Sequence, residues 1–117
     1  MKENPIRNKS FEFAVLAVKM ARALKESTKD YELINQFVRS GTSVGANVVE
    51  AIQGQSRRDF ISKMSIALKE AHETRYWLDL FRAINSINDE QHKFMLKKVN
   101  ELVNLLTAII KTAKKNS

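Results

Sequence analysis

The segment GTSVGANVVEAIQGQS, from Gly41 to Ser56, is unusually poor in charge for this chain. Charged residues make up 28% of the sequence, so an even distribution would place about seven of them between Leu33 and Ser56. That stretch carries two, Arg39 and Glu50. A helix that exposes one face to water normally carries charged residues on that face. We therefore expect this segment to be covered on more than one side.

The composition is typical of one folded helical domain. A chain of 117 residues can bury roughly two thirds of its unfolded surface, which is enough for a core. A hydrophobic content of 44%, with one Pro and three Gly, argues against disorder and against an all-β fold, which needs more turn residues. The absence of Cys excludes disulfides and thiolate metal sites. We predict a single domain over residues 1–117.

No stretch of the sequence is long and apolar enough to span a bilayer. The runs FAVLAV, from Phe13, and LLTAII, from Leu105, fall far short of the roughly 18 residues that a membrane helix needs. Lys19 and Arg22 interrupt the only stretch that could pass for a signal peptide. We expect a cytoplasmic protein.

Apolar residues recur at spacings of three and four along four segments, which predicts four helices. We place these helices at about residues 9–27, 31–53, 57–85 and 89–114. The residues expected to cap the second, third and fourth helices are Asp30, Ser56 with Asp59, and Asn88 with Gln91. The connections are short, so we predict an all-α fold, an antiparallel up-down-up-down four-helix bundle.

The second helix has two distinct faces when it is plotted at 100° per residue. The face expected to point inward carries Ile34, Phe37, Gly41, Val44, Val48 and Ile52. Gly41 and Gly45 each cost a helix up to about 1 kcal/mol relative to Ala. We expect them to allow close approach of a neighbouring backbone, although a local bend is the alternative.

The opposite face of this helix carries mostly uncharged polar groups, which are well suited to a contact that excludes water. We predict that it forms an oligomer interface, through Gln36, Arg39, Ser43, Asn47 and Glu50. A solvated face that happens to be poor in charge is the alternative. Arg39 and Glu50 are eleven residues apart, too far to pair with each other, so each is expected to find a partner elsewhere.

The net charge of +7 and the pI near 9.8 predict attraction to polyanions, with nucleic acid ahead of anionic membrane. Further basic residues close the fourth helix, at Lys111, Lys114 and Lys115. The residues that we predict to bind nucleic acid are Lys19, Arg22, Lys25, Arg39, Arg57 and Arg58. Few aromatic residues are available to stack on bases, so binding should be directed at the backbone. Membrane binding is disfavoured because no helix combines a large exposed apolar face with flanking lysines.

The sequence lacks the residue patterns of the common catalytic sites. A di-iron bundle needs Glu-x-x-His pairs, whereas His72 lies between Glu70 and Glu73, and His92 follows Glu90 by two residues. There is no Cys, no G-x-S-x-G and no glycine-rich phosphate loop. We interpret the carboxylates of the middle helices as ion-pair partners of residues such as Arg39, and we predict no metal, no cofactor and no enzymatic activity.

The region from Arg39 to Leu80 resembles the bacterial four-helix-bundle proteins first noticed as reading frames within intervening sequences of 23S ribosomal RNA genes. The most specific matches are SVGAN (Ser43–Asn47), the pair Glu50-Ala51, the motif S-x-x-D-F (Ser56–Phe60), and the spaced residues Glu70, Glu73 and Leu78. The resemblance implies a four-helix bundle that assembles into a ring, a pentamer, with no enzymatic activity. A related protein, the accessory protein of diversity-generating retroelements, implies nucleic acid and a reverse transcriptase as possible partners.

Charge and resemblance together support one functional hypothesis. We expect a non-enzymatic homo-oligomeric bundle that binds RNA or DNA and is associated with rRNA intervening sequences or a similar element. The alternative is a structural or protein-interaction module whose charge serves only solubility.

Overall fold

The computed structural model describes residues 4–116, which form four helices and no strand. The helices are α1 (Pro5–Ser27), α2 (Tyr31–Ile52), α3 (Arg57–Ala83) and α4 (Asp89–Lys115). The predicted all-α class is confirmed, and the boundaries of the last three helices lie within two residues of the predicted ones.

The start of α1 was predicted about four residues too late. The side chain of Asn4 accepts a hydrogen bond from the backbone N–H of Arg7 at 3.3 Å, and Pro5 occupies the first helical position. Proline is favoured there because the missing N–H would have no partner inside the helix. The extra turn buries Ile6 and so lengthens the core.

The predicted cap at Asp30 is wrong in its chemistry. The Asp30 side chain makes no capping hydrogen bond to α2. Its carboxylate instead accepts from the Thr28 hydroxyl at 3.2 Å, and Thr28 Oγ1 accepts from the Asp30 backbone N–H at 2.8 Å.

The other two predicted caps form at the expected residues. The Ser56 hydroxyl accepts from the backbone N–H of Asp59 at 3.0 Å. Asn88 and Gln91 make a reciprocal capping box, with both hydrogen bonds at 2.8 Å.

Asn85 ends α3 slightly earlier than predicted. It is the only non-glycine residue of the described range with a positive φ, at 63°. The backbone N–H groups of Asn85 and Ser86 donate to the carbonyls of Arg82 and Phe81, which is a Schellman motif.

Consecutive helices pack side by side in the order α1, α2, α3, α4, and α4 closes the bundle more loosely against α1. In each pair of neighbouring helices, the contacting residue numbers rise along one helix as they fall along the other. The pairs that show this are Ala17 with Gly41 and Ser10 with Gly45, Thr74 with Ser40 and Lys63 with Glu50, and Arg75 with Asn100 and Arg82 with Asp89. The bundle is therefore antiparallel throughout, and α2 lies between α1 and α3.

The inward face of α2 agrees with the prediction at five of its six positions. Ile34, Phe37, Gly41, Val44 and Val48 are all buried. Ile52 is 40% exposed, and Ala51 takes the last buried place instead. Ile52 is the last residue of the helix.

The two glycines of α2 mark the closest approach of α1, as expected. A Cβ on Gly41 would lie 3.1 Å from the Cβ of Ala17, and one on Gly45 would lie 3.3 Å from the carbonyl oxygen of Ser10. Both distances are shorter than an ordinary van der Waals contact. The glycines therefore set the spacing between α1 and α2.

We predict that Gly41→Ala lowers the free energy of unfolding by about 1 kcal/mol, because overpacking costs about 1–3 kcal/mol and helix propensity returns about 1 kcal/mol. Ala17→Gly removes the facing methyl group, so the double variant should be less destabilised than the sum of the two single variants. Urea unfolding of the four proteins in this cycle measures the coupling. Strictly additive effects would contradict the close contact.

Candidate nucleic-acid interface

The six residues predicted to bind nucleic acid do not form one surface. Lys19, Arg22 and Lys25 are exposed on the C-terminal half of α1, whereas Arg57 and Arg58 are exposed on the first turn of α3. In this antiparallel bundle the C-terminus of α1 and the N-terminus of α3 lie at opposite ends. The bundle is 46 Å in its longest dimension, so a single short ligand contact cannot cover both groups.

Arg39 lies between these two groups and is held by the carboxylates of α3. Its Nη1 donates to Glu70 Oε2 at 2.6 Å, its Nη2 donates to Glu73, and its Nε donates to Gln36 Oε1 at 3.2 Å. The Glu70 side chain is only 11% exposed, so Arg39 neutralises a carboxylate that is largely removed from water. The expected ion pairing of Arg39 is confirmed, since its guanidinium pairs with two carboxylates of the same chain.

The carboxylate of Glu73 is stabilised in its charged form. Burial opposes the charge, but hydrogen bonds from Trp77 Nε1, at 3.2 Å, and from Arg39 outweigh burial and lower the pKa of Glu73 below its usual 4.5. The hydrogen bonds to Glu73 and Glu70 in turn raise the pKa of Arg39. The Arg39–Glu73 pair is therefore charged on both sides at neutral pH.

The residues of the predicted oligomer interface make hydrogen bonds within their own subunit. The Ser43 hydroxyl donates to the Arg39 carbonyl at 2.6 Å, and Asn47 Nδ2 donates to the Ser43 carbonyl at 2.8 Å. Glu50 pairs with Lys63 of α3 at 3.4 Å. These bonds account for the polar groups without a second subunit, so the interface at this face stays a prediction.

The chain's excess of positive charge is concentrated at one end of the α3–α4 pair. Residues 57–69 of α3 and 102–115 of α4 contain seven of the twenty Lys and Arg residues but only one of the thirteen Asp and Glu residues. They carry six of the seven net charges, and the rest of the chain is nearly neutral. We call these two segments the basic end. Its cationic residues are Arg57, Arg58, Lys63 and Lys69 of α3, and Lys111, Lys114 and Lys115 of α4.

The basic end is assembled by the register of α3 and α4. Arg82 donates to Asp89 at 2.5 Å and Arg75 donates to Asn100 at 2.9 Å. Residue numbers therefore fall along α3 as they rise along α4. This register places the first turn of α3 beside the last turn of α4. All its cationic residues are exposed except Lys63, which is half-buried beside Glu50. The α4 lysines stand out in the sequence, but only the register shows that they neighbour Arg57 and Arg58.

The α1 residues lie in more balanced surroundings. Glu26 is exposed one residue beyond Lys25, and Asp30 and Glu32 follow at the start of α2. Lys25 is also in the last turn of α1, where the helix dipole favours a cation without any ligand. The basic end is therefore the stronger candidate for a polyanion site.

A groove of about 650 Å³ runs between α1 and α2 on the surface. Its walls are Arg7, Asn8, Phe11, Glu12 and Ala14 of α1, and Thr42, Gly45, Ala46 and Val49 of α2. Phe11 is 68% exposed at this groove, which is unusual for a Phe on a monomer surface. The wall formed by α2 is uncharged. The sequence did not single out Phe11, because its exposure depends on how α1 and α2 pack.

Residues 4–116 contain neither a cluster of metal-ligating residues nor a membrane-spanning helix. Over residues 4–116, no three His, Asp or Glu residues lie close enough together to hold a metal ion. No helix in that range combines the length and the apolar character that crossing a membrane requires.

The comparisons with known proteins agree with one another. A family model described as 23S rRNA-intervening sequence protein matches residues 2–108. A crystal structure at 1.70 Å resolution of a protein of unknown function from Bacteroides thetaiotaomicron, of the S23 ribosomal protein family, is 46% identical, with a TM-score of 0.89. That alignment covers 91% of this chain and 98% of the other. The comparison with curated proteins found no match.

We predict that Arg39→Ala lowers the free energy of unfolding at pH 7 by about 1–2 kcal/mol, because Glu70 loses its partner and Arg39 itself is partly exposed. Glu73 has a lowered pKa in the fold, so its contribution is present above its unfolded pKa and is lost as pH falls through the folded pKa. The difference between wild type and variant should therefore shrink in acid.

Urea unfolding at neutral and at acid pH measures this difference. Arg58→Ala is the matched control, since it removes an exposed arginine of α3 and should change stability by less than about 0.5 kcal/mol. An Arg39→Ala effect that equals the control, or that does not change with pH, would contradict the assignment.

Proposed function

The chain belongs to the 23S rRNA-intervening sequence protein family, and on this premise we propose that it is a non-enzymatic, homo-oligomeric bundle that binds the phosphate backbone of RNA or DNA. Neither the description of the family nor that of the crystallised relative names an activity or a ligand. The proposal therefore rests on the surface of this chain.

The observation that carries nucleic-acid binding is the basic end. Six of the seven net charges lie on two adjacent helix segments, and most of these side chains are exposed. Exposed cations that neutralise phosphates release condensed counterions, which is the main source of sequence-independent affinity. A basic protein whose charge served only solubility would have no need to place it on one end.

Self-association is supported by the α1–α2 groove. Phe11 projects beside a wall of small, uncharged residues, and the charge-poor strip of α2 continues toward Ser43 and Asn47. Exposed apolar surface with few charges is typical of a protein contact. We propose that a second copy covers this groove, together with the neighbouring face of α2. A ring would then repeat the basic end once per subunit, which multiplies weak phosphate contacts into a strong interaction.

The groove also favours the second candidate, a protein-interaction module. A partner of a different kind, such as a reverse transcriptase, would use the same apolar surface. In that case the free protein would remain a monomer, with the groove left open for the partner.

We predict that charge reversal at the basic end, with Arg57→Glu, Arg58→Glu and Lys111→Glu combined, weakens nucleic-acid binding by about 100-fold or more near 0.1 M salt. The matched control reverses Lys19, Arg22 and Lys25 to Glu, which changes the net charge by the same amount at the other end. Gel retardation at several salt concentrations measures both variants. Binding that is lost equally in both would show that net charge alone matters, and absence of binding in the wild type would refute the proposal.

We predict that Phe11→Glu dissociates the oligomer, because it places a charge in the centre of an apolar contact. Light scattering should give the wild type a mass several times the 13.4 kDa of one chain, and the variant a mass close to that value. Phe94→Glu is the matched control, since Phe94 is an aromatic residue of α4 that is 51% exposed. A folded wild type that is monomeric at micromolar concentration would contradict self-association.

A further inference from the structure

We infer that the basic end binds a double-stranded nucleic acid in preference to a single strand. This inference rests on the proposed function and specifies its ligand. It follows from the arrangement of the cations on two helices and from the lack of exposed aromatic side chains among them.

The cations of the basic end form two rows on two helices. Arg58 and Lys69 are exposed on α3 and are eleven residues apart, which is about 16 Å along the helix. Lys111, Lys114 and Lys115 lie within the last two turns of α4. The axes of packed helices are about 8–10 Å apart, which sets the scale of the separation between the two rows.

Two such rows can each face one of the two backbones that border a groove of a double helix. The minor groove of B-form DNA is about 6 Å wide and its major groove about 12 Å wide, so one row can face each strand. The phosphates of a duplex present one charge per about 1.7 Å of axis when both strands are counted. A single strand presents one line of phosphates and can satisfy only one row at a time.

The basic end lacks the feature that single-strand binding sites use. Such sites stack bases on exposed aromatic side chains, at about 1–3 kcal/mol per base. The aromatic residue within the two segments of the basic end is Phe60, which is half-buried and packs against the core.

Tyr76 distinguishes a single-stranded ligand from a duplex. It is 60% exposed on α3 and lies seven residues beyond Lys69, so it is two turns away on the same face. A single strand that followed the outer face of α3 from Arg58 to Lys69 would reach Tyr76 and could stack on it. A duplex that bridges α3 and α4 would gain nothing from its ring.

The experiment compares three probes of about 24 nucleotides or base pairs: an unstructured single strand, a DNA duplex and an RNA duplex. We expect both duplexes to bind at least about 10-fold more tightly than the single strand, with a steep dependence on salt. Arg58→Ala and Lys115→Ala remove one cation from each row, and each should weaken duplex binding and reduce the salt slope by about one. Tyr76→Ala should change no affinity by more than about twofold.

The inference is overturned if the single strand binds as tightly as the duplexes. It is also overturned if Tyr76→Ala weakens binding by about 5-fold or more, which is the smallest effect expected for a stacked base. If the wild-type protein binds none of the three probes, the proposed function itself fails. These outcomes separate a wrong ligand from a wrong function.

Discussion

The close approach of α1 and α2 at Gly41 and Gly45 is the constraint on which the rest of the structure depends. It brings α1 so near that a methyl group at Gly41 would meet the methyl group of Ala17 at 3.1 Å. On its other side α2 is tied to α3, by the hydrogen bond from Thr74 to Ser40 inside the bundle and by the ion pairs of Arg39 outside it. The charge-poor helix α2 thus packs against α1 on one side and against α3 on the other, within its own subunit.

This packing of α2 also determines what remains on the surface. Since α1 and α3 cover both of its sides, the part of α2 between Thr42 and Val49 leaves a narrow, uncharged strip on the surface, bordered by Phe11. The acidic residues that pair with Arg39 lie in the middle of α3, whereas the first part of that helix carries basic residues and Asp59. The same arrangement therefore produces an apolar surface on one side of the bundle and a cationic surface at one end.

The sequence predicted the features that depend on local rules. The spacing of apolar residues located the helices, and the pattern of Asn88 and Gln91 located a cap that forms as expected. The Asp30 side chain does not cap α2, because its carboxylate instead accepts a hydrogen bond from the hydroxyl of Thr28. The position of Arg57 beside the lysines of α4 depends on the register between the two helices. A helical wheel contains no information about that register.

Because α1 and α3 hold α2 from both sides, we expect α2 to open only when the whole protein unfolds. Native-state hydrogen exchange tests this most directly, because it reports the free energy of opening for each backbone amide. We expect the amides from Gly41 to Val48 to exchange with the same free energy and the same denaturant dependence as global unfolding. Exchange of these amides through a smaller opening, while α3 and α4 stay protected, would contradict the account.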